Sequence, residues 1–383
     1  MTDEPLAELD ASPGAPHPRE TAALYGQDAA EAAFLAAHAG GRLHHAWLLT
    51  GPRGVGKATL AWRIARFLLV EPPPEGAAGL FGAPPPPASL DIPADDPVAR
   101  RVAALSEPRL CLIRRGWDNE RKPARPRARI TVDDVRRLQG FFGLSAADGG
   151  RRVVIVDAAD EMNQNAANAL LKLLEEPPER ATLLLISHQP SGLLPTIRSR
   201  CRLLRLGPLG PADMARALAQ AGVEVAPEDA GALAALAGGS VGEAVRLAGL
   251  DGLKLYARLV NLFATLPRLD RGRALALADL AGARAAPEQT DLILHLFDLF
   301  LSRLARAPLI AGQPGSDISG TAEAAPGEAA LLARLAPGPR EARGWAELHQ
   351  SLGARARHGR AVNLDPAALV LDMVLKVEAT ATA

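Results

Sequence analysis

The chain has 383 residues, enough for two or three domains with at least one sizeable core. Its 43 basic residues balance 43 acidic residues, and this net charge of zero excludes a global electrostatic attraction to nucleic acid. Apolar residues make up 48% of the chain but aromatic residues only 4%, so alanine and leucine supply the apolar bulk and favour helices.

The first twenty residues are acidic and rich in proline and alanine, without the apolar core of a signal peptide. We expect residues 1–20 to be disordered. No stretch approaches the roughly 18 apolar residues that a membrane span requires. The two cysteines, Cys111 and Cys201, form no CxxC pair. A cytoplasmic protein without zinc or a disulfide framework is therefore expected.

A phosphate-binding loop is the first motif. Residues 51–57 have the sequence GPRGVGK and lie between an apolar strand and a helix. The glycines Gly51, Gly54 and Gly56 allow backbone N–H groups to wrap phosphates, and Lys57 reaches the terminal ones. Only five of the 43 basic residues are lysines, so a lysine at the position that the motif requires is stronger evidence for a phosphate-binding loop. The pattern predicts a site for ATP or ADP; a tight strand-to-helix turn is the alternative.

The position that would ligate Mg²⁺ departs from the usual pattern. The residue after Lys57 should carry a hydroxyl, but it is Ala58, and Thr59 comes one residue late. Because one helical step is about 100°, the Thr59 hydroxyl should point elsewhere. Nucleotide can still bind through the loop, but we expect its Mg²⁺ to be held weakly if at all.

Two irregular segments follow. Residues 71–98 contain two proline clusters and are expected to form an exposed insertion. Residues 118–129 form a basic loop, which is a candidate DNA contact, although such a run is more often only a solvated surface. Its basic residues are Arg121, Lys122, Arg125, Arg127 and Arg129.

Between residues 130 and 206 the pattern predicts an α/β fold. Short continuous apolar strands that alternate with helices imply a parallel sheet covered on both faces. The expected elements are strands at 152–157, 182–187 and 202–206 and helices at 132–138 and 164–176.

The strand at 152–157 ends in Asp157, which is placed to support Mg²⁺. Ala158 follows, and a methyl group cannot orient an attacking water, so general-base catalysis is expected to be lost. Asp160 and Glu161 could substitute only if the loop bent back. We expect both to face solvent at a helix start.

Two later motifs are unusual. The helix at 164–176 has a leucine face that ordinary packing explains, but its asparagines and Lys172 need another reason. Residues 196–201 have the sequence TIRSRC and place Arg200 after a strand and a short loop. Arginine has a planar, permanently charged fork that suits a transferring phosphoryl group, an effect worth about 10³–10⁵ in rate.

A Gly/Pro-rich stretch at 207–211 marks a domain boundary, and only helices are predicted beyond it. Residues 208–250 are expected to form three short helices. Residues 251–383 are expected to form a longer helical set, interrupted by a Gly/Pro/Ser-rich loop at 311–327.

Residues 170–178, LLKLLEEPP, and residues 199–201, SRC, resemble bacterial sliding-clamp loader subunits of the AAA+ superfamily. The stretches 24–27 and 44–47 fit as well. The resemblance implies a RecA-like α/β P-loop domain with a parallel sheet over 21–207, then a small helical lid and an all-α C-terminal collar domain. The degraded metal and sensor positions favour the delta-prime family over the motor family (gamma/tau).

The resemblance implies a helper subunit. Five subunits would form an open ring, with gamma/tau and delta as partners, and would act on the sliding clamp and primed DNA. Arg200 would reach the ATP of a neighbouring motor subunit. The lid arginine of motor subunits is replaced by Gly242, and the first sensor position is Ser187 or His188. Of the four zinc-binding cysteines common in such subunits only Cys111 is present, so no zinc is expected.

Three hypotheses follow. The first is a non-hydrolysing subunit of the DNA polymerase III clamp loader, which has no polymerase activity because it lacks paired metal-binding carboxylates. The second is an active AAA+ ATPase, a motor-type loader subunit or a branch-migration remodeller, with Thr59 and Asp160 replacing the missing groups. The third, another P-loop enzyme such as a kinase, leaves Arg200 unexplained. The nucleotide-binding residues under the first are Gly51, Gly54, Gly56, Lys57, Thr59 and Asp157.

Overall fold

The computed structural model describes residues 8–12, 14–41, 43–71, 87–118, 124–143, 150–282, 287–311 and 323–382. The chain divides into two compact units. Unit 1 comprises Met1–Leu209 with Ser240–Gly242, and unit 2 comprises Gly210–Gly239 with Glu243–Ala383. None of the helices that the structure describes is long and apolar enough to cross a membrane.

A five-stranded parallel sheet forms the centre of unit 1. In chain order the strands are β1 (Ala46–Thr50), β2 (Leu110–Arg114), β3 (Trp117–Asp118), β4 (Arg125–Pro126), β5 (Arg152–Asp157), β6 (Ala181–Ser187) and β7 (Arg202–Arg205). The order across the sheet is β2-β5-β6-β1-β7, and β3 and β4 form a separate antiparallel pair. Every residue of β1 and β6 is buried, because both are inner strands whose continuous apolar sequence faces helices on either side.

The described residues of this unit form the helices α1 (Asp28–Ala39), α2 (Lys57–Val70), α3 (Pro97–Ala103), α4 (Val132–Gly143), α5 (Gln164–Glu175) and α6 (Pro195–Ser199). The Asn163 side chain caps α5 by accepting a hydrogen bond from the Ala166 N–H at 2.8 Å. Ala167, Leu170 and Leu174 on α5 are buried, as the sequence predicts. The predicted α/β fold class with a parallel sheet is thus confirmed.

Several elements differ from the prediction. The short elements β3, β4 and α6 are not expected from the sequence, and α3 begins at Pro97, inside the stretch 71–98 that was expected to be irregular. The edge strand β2 was not expected, because its short apolar run is recognisable as a strand only through its parallel pairing with β5. Helix α4 continues to Gly143 instead of ending at residue 138. Of the basic loop, Arg121 and Lys122 lie outside the described residues, as do residues 72–86 of the proline-rich insertion.

The N-terminal segment also differs from its expectation. Residues 8–12 and 14–20, which composition assigns to disorder, are described and pack on unit 1. The side chains of Asp10 and His17 are only 3% and 5% exposed, and Asp10 forms an ion pair with Arg114 at the end of β2. Specific ion pairs with arginines of the sheet therefore order a segment whose composition alone is that of a disordered tail.

Every regular element in the described residues of unit 2 is a helix. These are α7 (Pro211–Gln220), α8 (Pro227–Ala237), α9 (Val241–Gly249), α10 (Gly252–Phe263), α11 (Arg271–Gly282), α12 (Pro287–Ala311), α13 (Glu328–Leu335), α14 (Pro339–Ala361) and α15 (Pro366–Thr382). The rings of Phe263 and Phe300 stack 5.0 Å apart in its core. Residues 312–322 of the loop expected at 311–327 lie outside the described residues.

Candidate functional site

The phosphate loop follows β1 and requires its glycines. Gly51, Gly54 and Gly56 have φ angles of +145°, +76° and +101°, in which L side chains are strained. A Cβ atom at Gly51 would lie 2.3 Å from the carbonyl oxygen of Leu206, and one at Gly56 would lie 2.5 Å from a methyl carbon of Leu24. Both backbone angle and space therefore demand glycine at Gly51 and Gly56, and such a glycine-rich turn is the kind that presents backbone N–H groups to a phosphate.

Lys57 begins α2 and is 3% exposed. Its Nζ donates hydrogen bonds to the carbonyl oxygens of Gly51, at 2.8 Å, and Pro52, at 2.5 Å. Burial lowers the pKa of Lys57 to about 8, against the opposing effect of the Asp157 and Asp160 carboxylates. The buried ammonium thus satisfies its donors on the loop itself, and phosphate oxygens would replace those two carbonyls.

The positions that would bind Mg²⁺ suit their ligand less well than the loop suits a phosphate. Burial raises the pKa of Asp157 to about 7, helped by the nearby charges of Asp10 and Glu161 and opposed by Lys57. Binding of a divalent cation to Asp157 would therefore have to displace a proton from part of the molecules at neutral pH. Ala58 supplies no oxygen ligand from its side chain, and Ala158, next to Asp157, is 3% exposed and has no polar side chain. These residues fit the phosphates of a nucleotide better than they fit its Mg²⁺.

The end of β6 contributes two polar groups to the same region. The Ser187 hydroxyl and the Nδ1 atom of His188 are buried and have no hydrogen-bond partner in the described part of the chain. Burial, together with the positive charges of Lys57 and Arg53, lowers the pKa of His188 to about 4, so its ring is neutral at physiological pH. Both groups are available for a polar ligand.

Asp160 and Glu161 do not lie at the start of α5, where the sequence placed them. They belong to a 3₁₀ turn, Ala159–Glu161, that precedes the helix. The Asp160 carboxylate accepts a hydrogen bond from the backbone N–H of His188 at 2.9 Å, and Glu161 pairs with Arg115 at 2.7 Å. Both acids are thus occupied in holding neighbouring segments. Thr59, which under the active-ATPase hypothesis would replace the hydroxyl missing at Ala58, is almost completely buried in α2.

Gln27 is a residue of this region whose role sequence reasoning missed. It is 5% exposed, and its amide nitrogen donates to the carbonyl oxygens of Val55, at 3.2 Å, and Gly207, at 2.8 Å. Its amide oxygen accepts from the Gly207 N–H at 3.2 Å. Gln27 therefore ties the phosphate loop to the chain after β7. No local pattern indicates this, because one partner is 180 residues away.

Gly242 lies against the loop, within unit 1. Its N–H donates to the carbonyl oxygen of Gly54 at 3.2 Å, and a Cβ atom on Gly54 would lie 2.2 Å from the Ser240 hydroxyl. The position at which the resemblance leads one to expect a sensor arginine thus faces the phosphate loop but has no side chain.

Arg200 lies elsewhere, after the five-residue helix α6. Its side chain is 37% exposed. Nη1 donates to the Thr196 carbonyl oxygen at 3.1 Å, and Nη2 lies 2.9 Å from Glu175 Oε1. Burial raises the pKa of the adjacent Cys201 thiol to about 12, so this cysteine is unreactive. The structure brings Lys57, Asp157, Asp160 and His188 together, whereas these contacts of Arg200 are with α5 and α6.

The described arginines of the basic loop, Arg125, Arg127 and Arg129, are all exposed. The Arg127 N–H donates to the Gly116 carbonyl oxygen at 2.9 Å, which holds the loop beside β3. Their guanidinium groups form a local basic surface on a chain of zero net charge.

Comparisons with known proteins agree with this geometry. The family described as "DNA polymerase III, delta subunit" matches residues 26–210. "DNA polymerase III subunit delta'" of Pseudomonas aeruginosa is 42% identical over 225 residues, which cover 58% of this chain and 62% of the relative. The protein of the same name in Bacillus subtilis is 30% identical over 227 residues, covering 59% and 60%.

A relative with a different subunit name is also similar. "DNA polymerase III subunit gamma/tau" of Mycobacterium tuberculosis is 31% identical over 209 residues, covering 53% of this chain and 31% of the relative. The matches to the two delta' proteins span about three fifths of those proteins' length, 62% and 60%. The resemblance to clamp-loader subunits of the delta-prime type is confirmed.

Proposed function

We propose, from the match of residues 26–210 to the family described as DNA polymerase III, delta subunit, that the chain is a clamp-loader subunit that assists ATP hydrolysis on a neighbouring subunit. In this role it hydrolyses little or no ATP itself. It helps to load the sliding clamp on primed DNA during replication, within a hetero-pentamer that contains gamma/tau and delta.

The observation that carries the proposal is the position of Arg200. Its guanidinium is partly exposed and is held from two sides by acceptors on α5 and α6. A permanently charged planar fork on the surface of a P-loop domain is suited to the phosphoryl oxygens of an adjacent subunit's nucleotide. The role of the arginine is to stabilise negative charge on the transferring phosphoryl group.

The chain's own site supports the helper role. Lys57 and the glycine loop can bind phosphates, and a bound nucleotide would supply the oxygens that Lys57 now takes from Gly51 and Pro52. Ala158 provides no general base, and Asp160 accepts a hydrogen bond from the backbone N–H of His188, directly after β6. ATP or ADP would then act as a bound structural ligand, with Mg²⁺ weakly held, and would not be turned over.

A DNA contact by the basic loop is a second, separate proposal. Arg125, Arg127 and Arg129 are exposed on the segment that includes β4, and arginine binds backbone phosphates readily. Because these contacts are electrostatic, they give affinity without sequence preference, as the loading of a clamp at any primed site requires.

The test of the helper role is ATP hydrolysis by the reconstituted loader in the presence of sliding clamp and primed DNA. Arg200→Ala should slow hydrolysis by about tenfold or more, since an arginine finger is worth about 10³–10⁵ at the site that it serves. Arg198→Ala is the matched control, because Arg198 is an exposed arginine of α6, two residues before Arg200. The chain alone should show no turnover.

The active-ATPase hypothesis gives the opposite pattern. If the isolated chain hydrolyses ATP over many turnovers and the Arg200→Ala loader is as fast as the native one, then the chain is a motor subunit and the helper role is wrong.

A further inference from the structure

Two motifs that stand out in the sequence meet in the structure. Helix α5 ends at Glu175, just before the proline pair at 177–178, and Arg200 follows α6. Oε1 of Glu175 lies 2.9 Å from Nη2 of Arg200. From this contact we propose that Glu175 is a positioning residue, which orients the Arg200 guanidinium for the nucleotide of the neighbouring subunit. The inference rests on the proposed function of Arg200.

The geometry fixes the plane of the guanidinium. Thr196 accepts a hydrogen bond from Nη1 at 3.1 Å, while Glu175 binds Nη2. With both outer nitrogens held, the guanidinium is restrained against rotation about the side-chain bonds that precede it. An arginine fork has five N–H donors, so these two contacts leave further donors for phosphate oxygens.

The two acceptors are themselves held by the core. Leu174, next to Glu175, is 2% exposed, and its carbonyl oxygen is 3.1 Å from Nε2 of His45. Ile197, next to Thr196, is completely buried and anchors α6. The carboxylate and the carbonyl therefore approach Arg200 from two fixed helix ends, and this is the arrangement that orients a long flexible side chain.

The contribution of the Glu175–Arg200 ion pair to folding stability is too small to explain its presence. The side chains of Glu175 and Arg200 are 50% and 37% exposed, and exposed ion pairs contribute little to folding. Orientation has a larger consequence, because small displacements of a group that acts in the transition state reduce the rate strongly. Without Glu175 the guanidinium samples more rotamers and spends less time in the productive one.

The test compares variants in the reconstituted loader with sliding clamp and primed DNA. Glu175→Gln keeps the size of the side chain but removes its charge. It should lower kcat for ATP about three- to tenfold and leave KM unchanged, because Arg200 acts in the transition state. Glu176→Gln is the matched control, since it neutralises the neighbouring exposed carboxylate at the same helix end. Its kcat should equal that of the native loader.

A double variant separates orientation from any independent effect. In the Arg200→Ala background, Glu175→Gln should cause no further loss, because its effect passes through Arg200. Thermal melting of each variant checks that the subunit is folded.

Three outcomes overturn the inference: an unchanged rate with Glu175→Gln, a faster rate, or an additional loss in the Arg200→Ala background. If Arg200→Ala itself leaves the rate unchanged, the proposed function of Arg200 is wrong. If Arg200→Ala slows hydrolysis but Glu175→Gln does not, only the positioning role of Glu175 is wrong.

Discussion

Burial favours the neutral form of both Lys57 and Asp157, and therefore shifts their pKa values in opposite directions. The pKa of Lys57 falls to about 8, and that of Asp157 rises to about 7. Each residue partly opposes the shift of the other, but neither restores the ordinary value. The region formed by the phosphate loop and the end of β5 therefore carries less charge than its lysine and its carboxyl group suggest.

Asp157 gives a prediction at the residue scale. Its pKa is raised from 3.8 to about 7, so between these values the native state keeps a proton that the unfolded chain has released. Stability from this group is therefore lost as pH rises through that window. Asp157→Asn should melt at a higher temperature than the native chain at pH 8, by about 2–4 °C for each kcal/mol recovered, and the difference should shrink toward pH 4.

The measurement is thermal unfolding without nucleotide at pH 4, 6 and 8. Asp133→Asn is the control, because the Asp133 side chain is 81% exposed and should show no such trend. A melting temperature of Asp157→Asn at or below the native value at pH 8 would contradict the burial argument.

At the scale of elements, unit 2 contains a buried charge at the start of α13. Glu328 is completely buried and accepts hydrogen bonds from Arg303 Nε, at 2.6 Å, and from the Tyr256 hydroxyl, at 2.6 Å. The Ala324 N–H donates to its other oxygen at 2.7 Å. The carboxylate thus joins α10, α12 and α13, and its negative charge and burial raise the pKa of Tyr256 far above the ordinary value.

Neutralising this carboxylate should be costly. Glu328→Gln leaves the Arg303 guanidinium, which is 8% exposed, without its carboxylate, and removing one member of a buried pair costs about 3–5 kcal/mol. The double change Glu328→Leu with Arg303→Leu removes both charges and should cost much less. Denaturant unfolding measures both variants. A double variant as unstable as the single one would show that packing, not the unpaired charge, is the cause.

At the scale of the whole molecule, a net charge of zero conceals an uneven distribution. Many arginines of unit 1 are neutralised by acids, as Arg63 is by Glu31 at 2.8 Å. The arginines of the basic loop are exposed on a short segment near β3 and β4. Binding to DNA, if it occurs there, is governed by this local surface and by salt concentration rather than by total charge.

Neutralising that surface should weaken the binding of the loader to primed DNA. Replacing its three described arginines by glutamine should lower affinity and reduce the slope of log K against log salt by about 0.9 for each lost phosphate contact. Fluorescence anisotropy across a salt series measures both quantities. An unchanged affinity and slope would exclude the loop as a DNA contact. The variant residues are Arg125, Arg127 and Arg129; the controls, with an equal change of charge, are the exposed Arg340, Arg343 and Arg357 of α14.

The sequence by itself determined the elements whose signals are local. Continuous apolar runs bounded by glycine and proline predicted β1, β5 and β6, and the end of α5 was predicted from the proline pair at 177–178. The phosphate loop was recognisable because its glycines are required by φ angles of the loop itself. The losses at Ala58 and Ala158 are visible for the same reason, since each is defined by its immediate neighbour.

Tertiary structure alone decided the contacts between distant segments. Strand β2 exists through its pairing with β5, and the N-terminal segment is ordered by an ion pair between Asp10 and Arg114, 104 residues apart. Neither the engagement of Asp160 by His188 nor the pair between Glu175 and Arg200 has a local signal. Periodicity and spacing report on the backbone of one element, whereas these side chains meet only because the sheet and its helices bring distant positions together.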